Sequence, residues 1–176
     1  MSIISKSLAC CAITLLLGLS VIAQQESEQQ KGIRLYREGA FTESASILKE
    51  VVKSSPSNAA WKYLGAALVN SGIEKEAIEA FKNSGQFKFN KDDEMVDKQR
   101  RITKPSKPDK LEVGWVKVAA ELRKDGTVGF VVPIDADASK AYIESCLKAT
   151  RKMKFEAAEI AGQPVTSVMT FEYSSR

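Results

Sequence analysis

Residues 115–134 read WVKVAAELRKDGTVGFVVPI, and this stretch predicts two antiparallel strands joined by a tight turn. The first strand shows the period-two alternation that is typical of a β-strand. One set of alternate residues is Val116, Val118, Ala120 and Leu122, and the other set is Trp115, Lys117, Ala119 and Glu121. Asp125-Gly126 suits the positive φ values of a hairpin turn. The second strand is expected to begin near Val128 and to place Phe130, Val132 and Ile134 on the core side.

The residues that follow predict a helix and a third strand. Apolar or small side chains recur at helical spacing in KAYIESCLKATRKMKF, residues 140–155, namely Ile143, Cys146, Leu147, Thr150 and Met153. A predicted turn at Gly162-Gln163-Pro164 then leads to an alternating strand that ends at Tyr173. The predicted order is strand, strand, helix, strand.

The first half of the chain contains an internal repeat. Gly32–Ser44 aligns with Gly65–Ala77 at a period of 33 residues, and each unit predicts two short helices. Gly72 is expected to end a helix as a left-handed cap. The stretch at residues 57–84, SNAAWKYLGAALVNSGIEKEAIEAFKNS, resembles a tetratricopeptide repeat. A capping helix is expected over Asn90–Ile102.

The second half, from Val113 to Tyr173, resembles the C-terminal domain of TonB-type energy transducers. The resemblance rests on GWVKVAAELRKDGTVGFVV, the following helix and KFEAAEIAGQPV, although a Tyr-Pro motif is absent and Ala157 replaces a proline. It implies that the last strand is a sheet edge that accepts a segment of an outer-membrane transporter. The implied contact residues are Thr166, Val168, Thr170 and Glu172. The alternative is an edge that is solvated or covered by the repeats.

The first 23 residues have the pattern of a secretory signal peptide. They contain one lysine, no acid and an apolar stretch from Leu8 to Ala23, which as a helix spans about 24 Å and is short of the roughly 30 Å hydrocarbon core. Cleavage is expected after Ala23, which implies a periplasmic or secreted protein. The alternative is a retained signal that anchors the chain in the inner membrane, and only that form would contact a membrane.

Composition argues against several classes of function. The chain has no histidine, and beyond the signal it keeps a single cysteine, Cys146, which falls on the apolar face of the predicted helix. We therefore expect no metal site, no cofactor and no enzymatic activity. The net charge of +4 is also too small for a dedicated nucleic-acid binder.

The sequence therefore predicts an α+β protein with a signal at 1–23, TPR-like helical repeats at 24–102, a linker at 103–110 and a β-β-α-β domain of TonB C-terminal type at 111–176. The expected function is a protein-binding adaptor with two surfaces, the last strand and a groove lined by the first helices of the repeats. The groove candidates are Gln29, Ile33, Tyr36, Arg37, Lys62, Ala66, Val69 and Asn70, of which Ile33, Ala66 and Val69 could instead pack between helices. The expected partner is a protein or peptide, for example an outer-membrane or envelope protein. The alternative function is a membrane-anchored, TonB-like energy transducer for outer-membrane transport.

Overall fold

The computed structural model describes residues 26–104, 106–109 and 112–175, and the predicted signal peptide lies outside them. This part of the chain is α+β, with five α-helices, a 3-10 helix and seven strands that pair antiparallel. The four helices of the first half are α1 (Glu28–Glu38), α2 (Phe41–Ser54), α3 (Asn58–Asn70) and α4 (Glu74–Ser84).

Local side-chain and glycine chemistry sets the ends of these helices. Ser27 and Gln30 form a capping box at the start of α1, and Ser57 caps α3 by accepting from the backbone N–H of Ala60 at 3.0 Å. Gly39 ends α1 with a φ of 87°, and Gly72 follows α3 with a φ of 78°. The predicted left-handed cap at Gly72 is confirmed.

Small residues allow the helices to pack closely. A Cβ added at Gly65 of α3 would lie 2.8 Å from the Phe81 ring of α4, and one added at Gly32 of α1 would lie 2.7 Å from Leu48 of α2. The hydroxyl of Ser44 is buried and donates to the Gly32 carbonyl at 2.8 Å. The pair α1 and α2 and the pair α3 and α4 therefore each meet at a glycine, as the repeat pattern predicts.

The capping helix predicted for Asn90–Ile102 is wrong. Only a 3-10 helix forms, over Lys91–Glu94, and it ends at Met95 in the left-handed conformation with a φ of 52°. The chain then extends into β1 (Arg101–Lys104), which pairs with β4 (Lys154–Glu156). The predicted linker at 103–110 thus begins inside a strand.

The second half is built around a three-stranded sheet. Its strands are β2 (Gly114–Leu122), β3 (Val128–Asp137) and β7 (Ser167–Ser175), in the order β3-β2-β7, and α5 (Lys140–Arg151) connects β3 to β4. A small hairpin of β5 (Ala158–Ile160) and β6 (Gln163–Val165) precedes β7. Its turn is Ala161-Gly162, both at positive φ, so Gln163 and Pro164 belong to a strand and not to the predicted turn.

Both faces of this sheet are buried, each against a different helical layer. On one face Val116, Val118, Ala120 and Val131 pack with Tyr142, Cys146 and Leu147 of α5. On the other face Ala119, Val132, Ile134 and Val168 share a core with helices α1 to α4, and Phe130 packs against it.

The register between β2 and β3 decides which residues of β3 face each helical layer. Ala119 pairs with Val132, and Ala120 with Val131, so Val132 lies on the face opposite to Val116 and Val118. The prediction that Phe130, Val132 and Ile134 lie on the core side is confirmed, and their core is the one shared with helices α1 to α4. The repeats supply the layer that covers the sheet's second face, and the halves share one core.

Candidate interaction surfaces

Tyr36, a predicted groove residue in α1, is buried against the sheet. Its side chain is 2% exposed, and its hydroxyl donates to the carboxylate of Glu121 in β2, which is 4% exposed. The other Glu121 oxygen accepts from Nε of Arg123 at 2.8 Å. Burial raises the pKa of Tyr36 well above its ordinary value, and the charge of Glu121 raises it further, so the phenol stays protonated and donates.

Arg37 connects α1 to three other parts of the chain. Its Nη2 donates to the backbone carbonyl of Glu94 at 2.7 Å and to the Tyr63 hydroxyl at 3.3 Å. Its Nε donates to the carbonyl of Thr166 at 3.3 Å, immediately before β7. The guanidinium therefore holds the helices, the 3-10 helix and the start of the last strand together.

Lys62 is paired with a buried carboxylate. The Nζ of Lys62 contacts Oε1 of Glu94, and Nη1 of Arg100 lies 2.7 Å from Oε2 of the same side chain. Lys62 is 2% exposed and Glu94 is 0% exposed. Burial lowers the pKa of Lys62 to about 8, although the charge of Glu94 opposes this shift. This cluster fixes the 3-10 helix against α3.

The remaining groove candidates also have partners within the chain. Gln29 donates to the Asp93 carbonyl at 3.2 Å and accepts from the Ser57 hydroxyl at 2.8 Å. Asn70 is exposed and donates to the Ala66 carbonyl at 3.1 Å. Ile33 and Ala66 are fully buried, and Val69 is half-buried.

Four of the groove candidates thus contact the chain's own sheet or 3-10 helix, namely Gln29, Tyr36, Arg37 and Lys62, whereas Asn70 is exposed. A groove that binds a partner stays a prediction. Two residues central to this interface, Glu94 and Glu121, were missed by the sequence reading. Glu94 belongs to a run of acids that a helix dipole could explain, whereas Glu121 falls in the alternate set of a predicted strand. The sequence did contain one sign that Glu121 is buried, because this charged residue follows Ala119 and Ala120 in a strand that is apolar on both sides.

The four candidates near the last strand divide into two groups. The carbonyl of Thr166 accepts from Arg37, and its hydroxyl accepts from the Lys124 N–H at 3.4 Å. Val168 is 0% exposed in the core shared with the helices. By contrast, Thr170 is half-buried beside a cavity of about 250 Å³ that Phe81 and Lys117 also line, and Glu172 is exposed. Thr166 is half-buried like Thr170, so Val168 is the one candidate of the four that is fully buried.

The strand β7 lies at an edge of its sheet. It pairs with β2 along its whole length, from Ser167 opposite Leu122 to Ser175 opposite Gly114. Within residues 26–104, 106–109 and 112–175, no strand pairs with its other side. An edge of this kind is the part of a sheet where an extended segment can add as a further strand.

Other kinds of site find no support in the described part of the chain. No group of three histidine, cysteine or acidic side chains there is placed to hold a metal ion. Cys146 is fully buried, and burial raises the pKa of its thiol, so it packs as a hydrophobic side chain, as predicted. Within the described residues, none of the helices has both the length and the apolar character that a membrane span requires.

Comparison with known proteins adds no relative to this description. No protein-family model matches the chain, and no curated protein is significantly similar to it.

Proposed function

We propose that this protein is a protein-binding adaptor of the bacterial cell envelope, and that it takes up an extended segment of its partner as an extra strand on β7. The observation that carries the proposal is the position of β7 at an edge of the sheet, with its outer side unpaired among the described residues. The resemblances to tetratricopeptide repeats and to the TonB C-terminal domain support it, because both serve protein recognition. The signal-like first 23 residues support a location outside the cytoplasm.

We infer that the protein uses one of the two predicted binding surfaces, the edge of β7. The first helices of the repeats contact the sheet and the 3-10 helix through Tyr36, Arg37 and Lys62. In this adaptor the repeats therefore support the sheet, and the edge of β7 recognises the partner.

The support makes β7 a rigid template. Val168 is locked in the core shared with the helices, and Tyr173 bonds to Thr150 of α5 at an O–O distance of 3.1 Å. A strand held on both faces loses little conformational entropy when it binds, so backbone hydrogen bonds to an added strand contribute more of their free energy to affinity.

Proline substitution on β7 tests strand addition. Along an antiparallel strand, successive residues point their N–H groups to opposite sides, so one of Thr170 and Phe171 has an outward N–H. Proline at that residue removes an outward donor and leaves the pairing with β2 intact, whereas proline at the other breaks the ladder. We would make Thr170→Pro and Phe171→Pro, with Thr170→Ala and Phe171→Leu as matched controls.

The readouts are a melting curve for each variant and a pull-down from periplasmic and outer-membrane extract. We expect one proline variant to stay folded and to lose the partners that wild type and both controls capture. A folded proline variant that still captures every partner contradicts strand addition.

A membrane-anchored energy transducer is the second candidate function, favoured by the apolar stretch from Leu8 to Ala23. The first residue of the protein isolated from its native host separates the two. We expect a start near Gln24 in the soluble envelope fraction, whereas an intact Met1 in the membrane fraction would favour the transducer.

A further inference from the structure

Along the edge strand β7, a charged residue stands between two aromatic residues, and its side chain projects from the opposite face of the sheet. Glu172 is exposed and lies on the same face as Val168, the face that the helices cover further along. Phe171 and Tyr173 lie on the α5 face, where both are half-buried and their ring centroids are 5.4 Å apart in a T-shaped arrangement. The side chains of an added strand would lie directly beside Phe171, Glu172 and Tyr173.

Charges alternate in sign across the sheet in line with Glu172. Lys117 of the central strand pairs with Asp135 of β3 on one side and with Glu172 of β7 on the other. The row therefore reads negative, positive, negative. Directly opposite charges stabilise a strand pair and like charges destabilise it, so the next position outward favours a cation.

The neighbouring rows are apolar. Tyr173 pairs with Val116, which pairs with Ala136, and Phe171 pairs with Val118. Both aromatic side chains pack against the core under α5. The positions on an added strand beside Phe171 and Tyr173 therefore favour apolar side chains, which would extend this core outward.

We propose that the partner strand carries a lysine or arginine between two apolar residues, with the cation opposite Glu172 and the apolar residues beside Phe171 and Tyr173. This inference rests on the proposed strand addition at β7. It names a class of segment, apolar-basic-apolar in an extended conformation.

The edge strands of the same sheet in a second copy of this chain do not fit this edge. The two edge strands of the sheet read VGFVVPIDAD for β3 and SVMTFEYSS for β7, and neither contains a lysine or an arginine. Pairing of β7 with either edge strand of another copy would leave Glu172 without a cation. The charge pattern therefore disfavours edge-to-edge pairing of this sheet between two copies.

Peptide binding to the full chain tests the inference. We would use three fluorescent peptides that share an alternating valine-threonine sequence and differ in one central residue, which is lysine, norleucine or glutamate. Dissociation constants would be measured by fluorescence anisotropy at low salt for wild type, Glu172→Lys and the control Glu43→Lys, which makes the same charge change on the exposed side of α2.

For wild type and Glu43→Lys, we expect the lysine peptide to bind about two- to fivefold more tightly than the norleucine peptide, with the glutamate peptide weakest. Glu172→Lys should reverse the order of the charged peptides, and added salt should reduce both differences.

Two results would overturn the inference in distinguishable ways. If all three peptides bind wild type equally, and the folded proline variant of β7 binds none, strand addition stands and the charge preference is wrong. If no peptide binds at millimolar concentration and that proline variant still captures partners from extract, strand addition itself is wrong. Concentration-dependent dimers that Glu172→Lys abolishes would make a second copy the occupant, which also overturns the inference.

Discussion

The phenol of Tyr36 in α1 donates its hydrogen bond to the carboxylate of Glu121 in β2, 85 residues further along the chain. Both side chains are buried at the boundary between the helical layer and the sheet. A buried carboxylate requires partners, and Glu121 has one from each half, Tyr36 from the helices and Arg123 from the sheet. The two halves therefore complete each other's hydrogen bonding as well as their apolar packing.

Removing the Tyr36 hydroxyl should destabilise the whole protein. In Tyr36→Phe the buried Glu121 keeps only Arg123 as a partner, and we expect a loss of about 1–3 kcal/mol in the free energy of unfolding, measured with urea. Tyr173→Phe is the matched control. It should cost less, because the Thr150 hydroxyl keeps its bond to the Cys146 carbonyl. Equal stability of Tyr36→Phe and wild type would mean that this bond contributes nothing.

The shared core predicts a single unfolding transition. The chain has two tryptophans, Trp61 in α3 and Trp115 in β2. The variant Trp61→Phe therefore keeps a fluorescent reporter in the sheet, and the variant Trp115→Phe keeps one in the helices. We expect both variants to show fluorescence midpoints that coincide with the far-ultraviolet circular dichroism of the same variant. Separate midpoints would show that the halves unfold independently.

Glu94→Gln should be among the most destabilising single changes. It removes the carboxylate that Lys62 and Arg100 share and leaves two cations with little exposure, at a cost of about 3–5 kcal/mol. Asp92→Asn, at an exposed position of the same 3-10 helix, should change stability by less than about 0.5 kcal/mol. Adding Lys62→Met to Glu94→Gln should recover part of the loss. No recovery would mean that Lys62 and Glu94 are not coupled.

Lys62 should make stability rise with pH in the alkaline range. Burial lowers its pKa in the folded protein to about 8, compared with an ordinary value of 10.5. Between these values the unfolded chain binds a proton that the folded protein does not, so the contribution of Lys62 to stability increases from about pH 8 to about pH 10.5. Unfolding free energies of wild type and Lys62→Met at several pH values test this. A difference that is constant or shifts against wild type would show that Glu94 outweighs desolvation.

A methyl group at Gly65 should destabilise the helices. The added Cβ would lie 2.8 Å from the Phe81 ring, and overpacking of this kind costs about 1–3 kcal/mol, more than the roughly 1 kcal/mol that alanine gains in helix propensity. Gly85→Ala is the control, because its nearest new neighbour is the Lys82 carbonyl at 3.3 Å. Phe81→Leu should partly rescue Gly65→Ala. A melting temperature of Gly65→Ala equal to or above that of wild type contradicts the close contact.

Local patterns in the sequence were sufficient for the five α-helices and for the three strands of the main sheet. The repeat glycines predicted the four helices of the first half, and Asp125-Gly126 with the flanking alternation predicted the main hairpin. Helical spacing likewise predicted α5. The capping helix predicted over Asn90–Ile102 does not form, because the pairing of Glu94 with Lys62 and of β1 with β4 decides the conformation of this segment.

Contacts between the halves could not be predicted in the same way. Periodicity shows that a face is apolar but not which element covers it, and the pairing of Tyr36 with Glu121 leaves no periodic trace. Tyr36, Arg37 and Lys62 look like exposed groove residues when each repeat is considered alone. The edge position of the last strand was predicted from the resemblance to the TonB C-terminal domain and not from any local pattern. Within that strand Thr170 and Glu172 remain accessible.

The position of Val168 in the core shared with the helices has a consequence for biosynthesis. Helices α1 to α4 precede all three strands of the main sheet in the chain, and β7 is the last of these strands, so their sheet-facing side is fully covered only after β7 has been synthesised. Contacts of such long sequence separation form slowly. A chain exported with its N-terminus leading would therefore present this apolar side outside the cytoplasm before its cover arrives, which makes the newly exported helices a substrate for holding chaperones.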